Sequence, residues 1–207
     1  MSFQIALIRH GEVALNIIKA FVGRTDDILT PKGRQQAHRI GKYLASHGYH
    51  FDQILHSPLA RAAETAEIIR VYAPSSIQSE PLLRERDYGI FEGLTKHEFL
   101  EKYPDLKSLM DDYEHNKPFV AIPNGETAYD VELRIQKLLF EELPKRFPNG
   151  GNLLFVAHLN PIRAVLRLLG LADWPIYFHA FKNTSFTLIK TNLNKSEILI
   201  NDFSCEE

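Results

Sequence analysis

The sequence predicts an α/β fold. It reads as a single domain with a mostly parallel central sheet, helices on both faces and an inserted helical cap. Three observations carry this reading. Two apolar runs, at residues 5–8 and 152–157, and a third strand-like segment at 51–55 each stop abruptly at a polar cluster, the two runs as strands buried on both faces of a parallel sheet do. Thr30-Pro31, Ser57-Pro58 and Asn160-Pro161 each set a capping side chain before a proline, a helix-entry signal. The resulting alternation of strand and helix points to parallel crossover units.

Taken in order, Ile5 to Ile8 is the first strand. The helix opened by Thr30-Pro31 runs to about Ser46, with Ala37, Ile40, Gly41 and Leu44 on its inner face and Gly48 at the C-terminal cap. Phe51 to Leu55 is the second strand, and Leu59 to Tyr72 the helix that follows it. Pro81 to Pro123 is rich in charge, aromatics and helix breakers, and reads as an excursion of short helices forming a lid. Thr127 to Phe147 is a long amphipathic helix. Asn152 to Ala157 is the third strand, with a helix from Asn160 to about Leu169. Ser185 to Lys190 and Glu197 to Ile200 form a closing pair of strands. No internal repeat or low-complexity tract interrupts the pattern.

Composition narrows the function. The 207 residues are 44% hydrophobic and 24% charged, ordinary for one globular domain. A formal net charge of -2 gives no basis for nucleic-acid binding through bulk charge. The lone Cys205 forms no intramolecular disulfide and no thiolate metal cluster. Phe3 to Ile8 is too short for a signal peptide or a membrane span, so a cytoplasmic location is the default expectation. The sequons at Asn183 and Asn194 are patterns short enough to recur by chance.

Chemistry concentrates at the strand ends. The first run ends in Arg9-His10-Gly11, the second in His56-Ser57 with Arg61 one helical turn on, and the third in His158. In a parallel sheet these ends share one edge, where open α/β folds bind ligands. Two histidines and two arginines would meet there, beside a helix N-terminus. Arginine forks suit phosphoryl oxygens, an imidazole nitrogen can attack phosphorus, and a carboxylic acid can protonate the departing alcohol.

The blocks that carry these residues resemble the histidine phosphatase superfamily, in its phosphoglycerate-mutase-like branch. They are Arg9-His10-Gly11-Glu12 with Asn16 and Gly23, Leu29-Thr30-Pro31-Lys32-Gly33, Ser57-Pro58 through Arg61 to Ala66, Leu83-Arg84-Glu85 through Tyr88-Gly89 to Gly93, Pro123 to Thr127, and Val156-Ala157-His158. The resemblance implies His10 as nucleophile, Arg9, Arg61 and His158 as the phosphoryl clamp, and Glu85 as the acid that later activates water. Asn16, Gly23, Tyr88 and Leu159 would be substrate contacts. It implies no metal and no cofactor and a small phosphorylated substrate; the charge and the lack of a long apolar stretch add the expectation of no nucleic-acid and no membrane partner. It leaves oligomeric state and the particular substrate open.

Within that family the expected activity is a metal-independent phosphomonoesterase, a histidine-acid-type phosphatase. Mutases resemble the chain at Tyr88 and Lys96, but their extended insertion with an arginine pair is absent between Lys96 and Pro123. A phosphoglycerate mutase and a catalytically silent phospho-ligand binding module are the alternatives. One departure stands out: the family usually has His-Gly after its last parallel strand, and here His158-Leu159-Asn160-Pro161 follows. Leu159 is expected to offer its N–H to phosphate, and Asn160 either to cap the helix or to line the pocket.

Bland readings compete at several positions. Ser57 is expected to be an N-cap rather than a nucleophile. Glu80, Asp87 and Glu92 compete with Glu85 for the acid, Glu92 being the most readily structural. Glu12 is expected to orient the loop, and His56 to be a surface or capping residue.

Overall fold

The computed structural model describes residues 1–114, 120–172 and 181–205. In chain order the elements are β1 (Ser2–Arg9), α1 (Ala14–Ile17), α2 (Pro31–Ser46), β2 (Gln53–His56), α3 (Ala60–Tyr72), β3 (Ser76–Ser79), α4 (Lys96–Lys102), α5 (Lys107–Glu114), α6 (Ala128–Lys137), α7 (Leu143–Arg146), β4 (Gly150–Ala157), α8 (Leu159–Leu168), β5 (Phe186–Thr191) and β6 (Ser196–Phe203). The strands form one sheet in the order β3-β2-β4-β1-β5-β6. β3, β2, β4 and β1 run parallel, while β5 and β6 close the sheet antiparallel.

Alternation along the central strands explains the two faces. Phe3, Ile5 and Leu7 of β1 join Leu153 and Phe155 of β4 against Val131 and Ile135 of α6 and Ile162 and Val165 of α8. Ala6 and Ile8 join Leu154 and Val156 on the opposite face, against Ile40 and Leu44 of α2 and Ala62, Ala66 and Ile69 of α3. Each of the larger fully buried aliphatic side chains contributes about 1.5–3 kcal/mol relative to an exposed one. The doubly buried strands are the reason the sequence reads as continuous apolar runs rather than alternating ones.

The register places the chemistry. Arg9 lies beside Ala157 and His56 beside Val156, so β1, β4 and β2 end level. The connection leaving β1 crosses toward β2, and the one leaving β4 through α8 crosses toward β5. Their divergence makes a topological switch point between β1 and β4, the crevice in which open sheets bind ligands.

Several expectations shift. Ser57 is not a helix cap: Leu59 occupies the N-cap position of α3 without a side-chain hydrogen bond. His158, not Asn160, is the N-cap of α8. β3 is an addition to the expected strands: a short, largely exposed edge strand has no apolar pattern to betray it. The expected helix from Thr127 to Phe147 is helical from Ala128 to Arg146, but Leu138–Glu142 is a π-helical turn. Pro144 has no N–H to return to residue 140, and its ring crowds that carbonyl, so the turn widens there.

The excursion after β3 is the helical cap. It consists of 3₁₀ turns at Pro81–Leu83, Gly89–Phe91 and Pro104–Leu106 together with α4 and α5. Phe91, Phe99, Met110, Val120 and Ile122 give it a separate apolar core, to which Tyr88 belongs. Positions 115–119 of the expected cap lie outside the described residues. No helix among the described residues is long and apolar enough to cross a membrane.

The loop after β1 rests backbone against backbone on the first turn of α2. A Cβ on Gly33 would come within 2.2 Å of the Glu12 carbonyl oxygen, and one on Gly11 within 2.5 Å of the Gly33 carbonyl oxygen. Helix propensity alone favours Gly33→Ala by about 0.5–1 kcal/mol. The contact reverses the sign: Gly33→Ala is expected to lower the urea midpoint of unfolding, and a raised midpoint would refute this packing.

Candidate active site

His10 follows directly from the end of β1, where its backbone N–H donates to the Ala157 carbonyl at 3.0 Å. Gly11 N–H donates to Thr65 Oγ1 of α3 at 3.1 Å, and Asn183 Nδ2 donates to the His10 carbonyl at 2.9 Å. The ring is fixed equally firmly. Its Nδ1 lies 2.7 Å from the Gly11 carbonyl, which can only accept, so Nδ1 carries the proton. Nε2 then keeps its lone pair, and Arg61 Nε donates to it at 3.3 Å. Burial first, then the charges of Arg61 and Arg9, hold this imidazole well below its ordinary pKa, against a smaller upward pull from Gly11.

Arg61 is fully buried on α3. Its Nη1 donates to the Thr25 carbonyl at 2.8 Å and its Nη2 to the Gly23 carbonyl at 2.6 Å. Those carbonyls are aimed by Glu92, whose carboxylate accepts from the N–H groups of Gly23, Arg24, Thr25 and Tyr88 and from the Thr25 hydroxyl. Burial lowers Arg61, with Glu85 the largest opposing charge. Arg9 donates through Nη1 to the Phe181 carbonyl at 2.5 Å. Burial brings it down to about 10, again opposed chiefly by Glu85, which leaves it cationic at neutral pH.

His158 is fully buried, its ring centroid 5.0 Å from that of His10. Its Nε2 lies 2.7 Å from Ser57 Oγ. Ser57 Oγ accepts from Leu59 N–H at 3.3 Å; where its own proton is donated to Nε2, the His158 proton sits on Nδ1. His158 Nδ1 and Arg9 Nε are both buried without a partner among the described residues. Unsatisfied buried donors cost about 1–3 kcal/mol each, and an oxyanion is an acceptor that would relieve both. Burial, followed by Arg61, His10 and Arg9, holds His158 well below its ordinary pKa.

Glu85 is 4% exposed and sits in the chain between the 3₁₀ turn at Pro81–Leu83 and Tyr88. Its Oε1 accepts from Arg86 N–H at 2.7 Å, Asn160 Nδ2 at 3.0 Å and Asn160 N–H at 3.3 Å. Its charge is felt by both Arg9 and Arg61. Its competitors lie elsewhere engaged: Glu80 pairs with Arg146 at 2.7 Å, Asp87 with Arg24 at 3.2 Å, and Glu92 holds the loop beneath Arg61.

The four expected substrate contacts are placed differently from one another. Asn16 is half-buried at the rim, its Oδ1 accepting from Val13 N–H at 3.2 Å and Asn183 Nδ2 at 3.3 Å. Gly23 meets the site through its carbonyl on Arg61, and a Cβ there would strike Glu92. Tyr88 is 6% exposed, and its hydroxyl accepts from Asn160 Nδ2 at 3.0 Å. Leu159 opens α8 with φ outside the left-handed region, and its N–H has no acceptor among the described residues. Asn160 N–H is taken by Glu85 and Pro161 has none, which leaves the Leu159 N–H as the free donor at this helix N-terminus.

Two residues carry no local signal in the sequence: Thr65 and Asn183 hold the His10 loop by hydrogen bonds between distant segments. Ser57 carries the generic entry signal of serine before proline, yet its hydroxyl meets His158. Asn160, where either a cap or a pocket residue fits, hydrogen-bonds Glu85. Glu12 does orient the loop, accepting from Thr30 Oγ1 at 3.0 Å and Lys32 Nζ at 3.0 Å. His56 is half-buried with Nδ1 on the Ser57 carbonyl at 2.8 Å. No cluster of three or more metal-ligating side chains occurs among the described residues.

A buried histidine pair flanked by two arginines, at the carboxyl edge of a parallel sheet, is the layout of a phosphate-handling enzyme. The chain belongs to the histidine phosphatase superfamily, branch 1, whose family model matches residues 5–202. Among curated relatives it is 33% identical to a 2,3-bisphosphoglycerate-dependent phosphoglycerate mutase of Bartonella bacilliformis, over 80% of each chain. It is 32% identical to a broad-specificity phosphatase of Saccharomyces cerevisiae, over 88% of this chain and 77% of that one. Among solved structures, Bacillus stearothermophilus YhfR superposes with a TM-score of 0.84 at 27% identity, covering 97% of this chain and 96% of its own.

Depressed pKa values and fixed tautomers are measurable together. Long-range 15N–1H spectra are expected to show His10 and His158 as neutral Nδ1–H tautomers, with midpoints well below the ordinary ~6.5. Because the unfolded chain takes up these protons first, acidification below about 6.5 destabilises the fold, by up to about 1.4 kcal/mol per pH unit per ring. Ser57→Ala is expected to release the tautomer of His158 and leave that of His10 intact. Either ring titrating at or above its ordinary value would contradict this account.

Proposed function

We propose that this chain is a metal-independent phosphomonoesterase that hydrolyses a small phosphorylated metabolite through a phosphohistidine on His10. The observation that carries the proposal is a neutral His10 whose Nε2 lone pair lies against the Arg61 guanidinium. A nucleophile buried beside a cation is ready to meet a dianion without first losing a proton.

In the first step, Arg9, Arg61, the Nδ1–H of His158 and the Leu159 N–H hold the phosphoryl oxygens. Nε2 of His10 attacks phosphorus, the bond to the ester oxygen breaks, and Glu85 gives its proton to the departing alcohol. In the second step the Glu85 carboxylate takes a proton from water as that water attacks phosphorus. The N–P bond breaks, its electron pair returns to Nε2, and phosphate leaves. The two guanidinium groups supply the positive charge that a metal ion supplies in other phosphoryl-transfer enzymes. The reading treats residues 1–207 as one domain with the cap at about 81–123, working in the cytoplasm on a small molecule.

Transfer to water rather than back to substrate is favoured by the cap. No arginine lies between Lys96 and Pro123 to grip a substrate carboxylate, and Lys96 is paired with Glu114 at 2.7 Å. The mutase reading keeps one specific support, the identity to a phosphoglycerate mutase over most of the chain.

Protein treated with a chelator is expected to release phosphate from an aryl phosphate as fast as untreated protein. His10→Ala is expected to lose turnover by at least about 10³-fold with an unchanged unfolding midpoint. Activity that vanishes on chelation, or His10→Ala turnover near wild type, would refute the mechanism. With 3-phosphoglycerate and a bisphosphorylated primer, phosphate release is expected to outpace interconversion, and the reverse ranking would establish the mutase.

A further inference from the structure

Asn160 stands where it can do more than line a pocket. It is 2% exposed, at the second position of α8. Its amide nitrogen spends one proton on Glu85 Oε1 and the other on the Tyr88 hydroxyl, both at 3.0 Å. Its backbone N–H adds a third hydrogen bond, to the same Oε1 at 3.3 Å. The amide cannot be turned over, because Oδ1 would then face the carboxylate oxygen. The Tyr88 hydroxyl accepts a second hydrogen bond, at 3.3 Å, from Tyr113 on cap helix α5. The Arg86 guanidinium lies over both tyrosine rings, 5.6 and 5.5 Å from their centroids, and donates to the Glu126 and Val120 carbonyls. An unbroken chain of hydrogen bonds therefore runs from the cap to the carboxyl group, through Tyr113, Tyr88 and Asn160.

We infer that Asn160 is the positioning residue of the acid Glu85, and that Tyr88 and Tyr113 extend its hold into the cap. The inference rests on the phosphomonoesterase reading and refines it. With Arg86 N–H and two donors from Asn160 on Oε1, the proton that the reaction uses is carried by Oε2, which takes no hydrogen bond from the described residues. Asn160 thus decides which oxygen faces the ester, and the cap decides where Asn160 sits. In the first step such a device matters most for leaving groups that depart poorly without a proton. The substrate class it serves is accordingly an alkyl phosphate, the ester of an aliphatic alcohol, rather than an aryl phosphate or an anhydride.

The leaving group separates this role from a merely structural one. Turnover is measured for glycerol 2-phosphate, whose alkoxide needs the proton, and for p-nitrophenyl phosphate, whose phenolate does not. Because hydrolysis of the phosphohistidine is common to both esters, the comparison is made in kcat/KM, which reports the phosphoryl-transfer step: Asn160→Ala is expected to lower the ratio of kcat/KM for glycerol 2-phosphate to that for p-nitrophenyl phosphate by about 10- to 100-fold, part of the 10²–10⁴ that general acids supply. Tyr113→Phe keeps the ring, loses only the hydroxyl, and is expected to move the ratio the same way by about threefold, so the test survives if Asn160→Ala fails to fold. Equal losses on both esters in the two variants would overturn the inference while leaving the phosphomonoesterase reading intact. A wild-type protein inert on both esters would overturn that reading and this inference with it.

Discussion

One hydrogen bond sets the terms for the rest of the site. With the Nδ1 proton of His10 committed to the Gly11 carbonyl, Nε2 is left as a bare lone pair facing Arg61. Every neighbouring feature either protects that arrangement or depends on it. Thr65, Asn183 and the Ala157 carbonyl fix the backbone that carries the ring. Glu92 arranges the loop whose carbonyls orient Arg61. Burial among cations holds both imidazoles well below their ordinary pKa, which suits the proposed roles of nucleophile and donor better than that of additional charges.

The fold makes this arrangement affordable by ending three parallel strands at one level. Arg9-His10, Ala157-His158 and His56-Ser57 occupy adjacent strand ends, so residues about 150 positions apart in sequence meet without long side chains or strained backbone. The doubly apolar β1 and β4 anchor those ends in a core on either side. The carboxyl group comes from outside the sheet. Glu85 lies on the way into the cap and is hydrogen-bonded by Asn160 of α8, which ties the proposed acid to the element that follows the second histidine.

Much of this was legible in the sequence because the signals were local. Strand-like segments that stop at Arg-His, His-Ser and His mark strand ends, and Thr30 does cap α2. The family blocks then supply an order that the sheet reproduces. What the sequence concealed was non-local. Ser57 carries the generic signature of a cap, yet its hydroxyl serves His158 across the sheet edge. Asn160 lies two residues after the histidine, where a cap also fits, yet its amide reaches a carboxyl group 75 positions earlier. β3 is too polar to announce itself, and the π turn follows from a single proline inside an otherwise regular helix.

The convergence of the two imidazoles and the two guanidinium groups on one anion is the claim on which everything else stands. It is tested most directly by a crystal structure of the protein with bound orthovanadate. The account places vanadium within bonding reach of His10 Nε2, with its oxygens on Arg9, Arg61, the Nδ1 of His158 and the Leu159 N–H. Vanadate seated elsewhere, or held there with His10 Nε2 turned away, would contradict it.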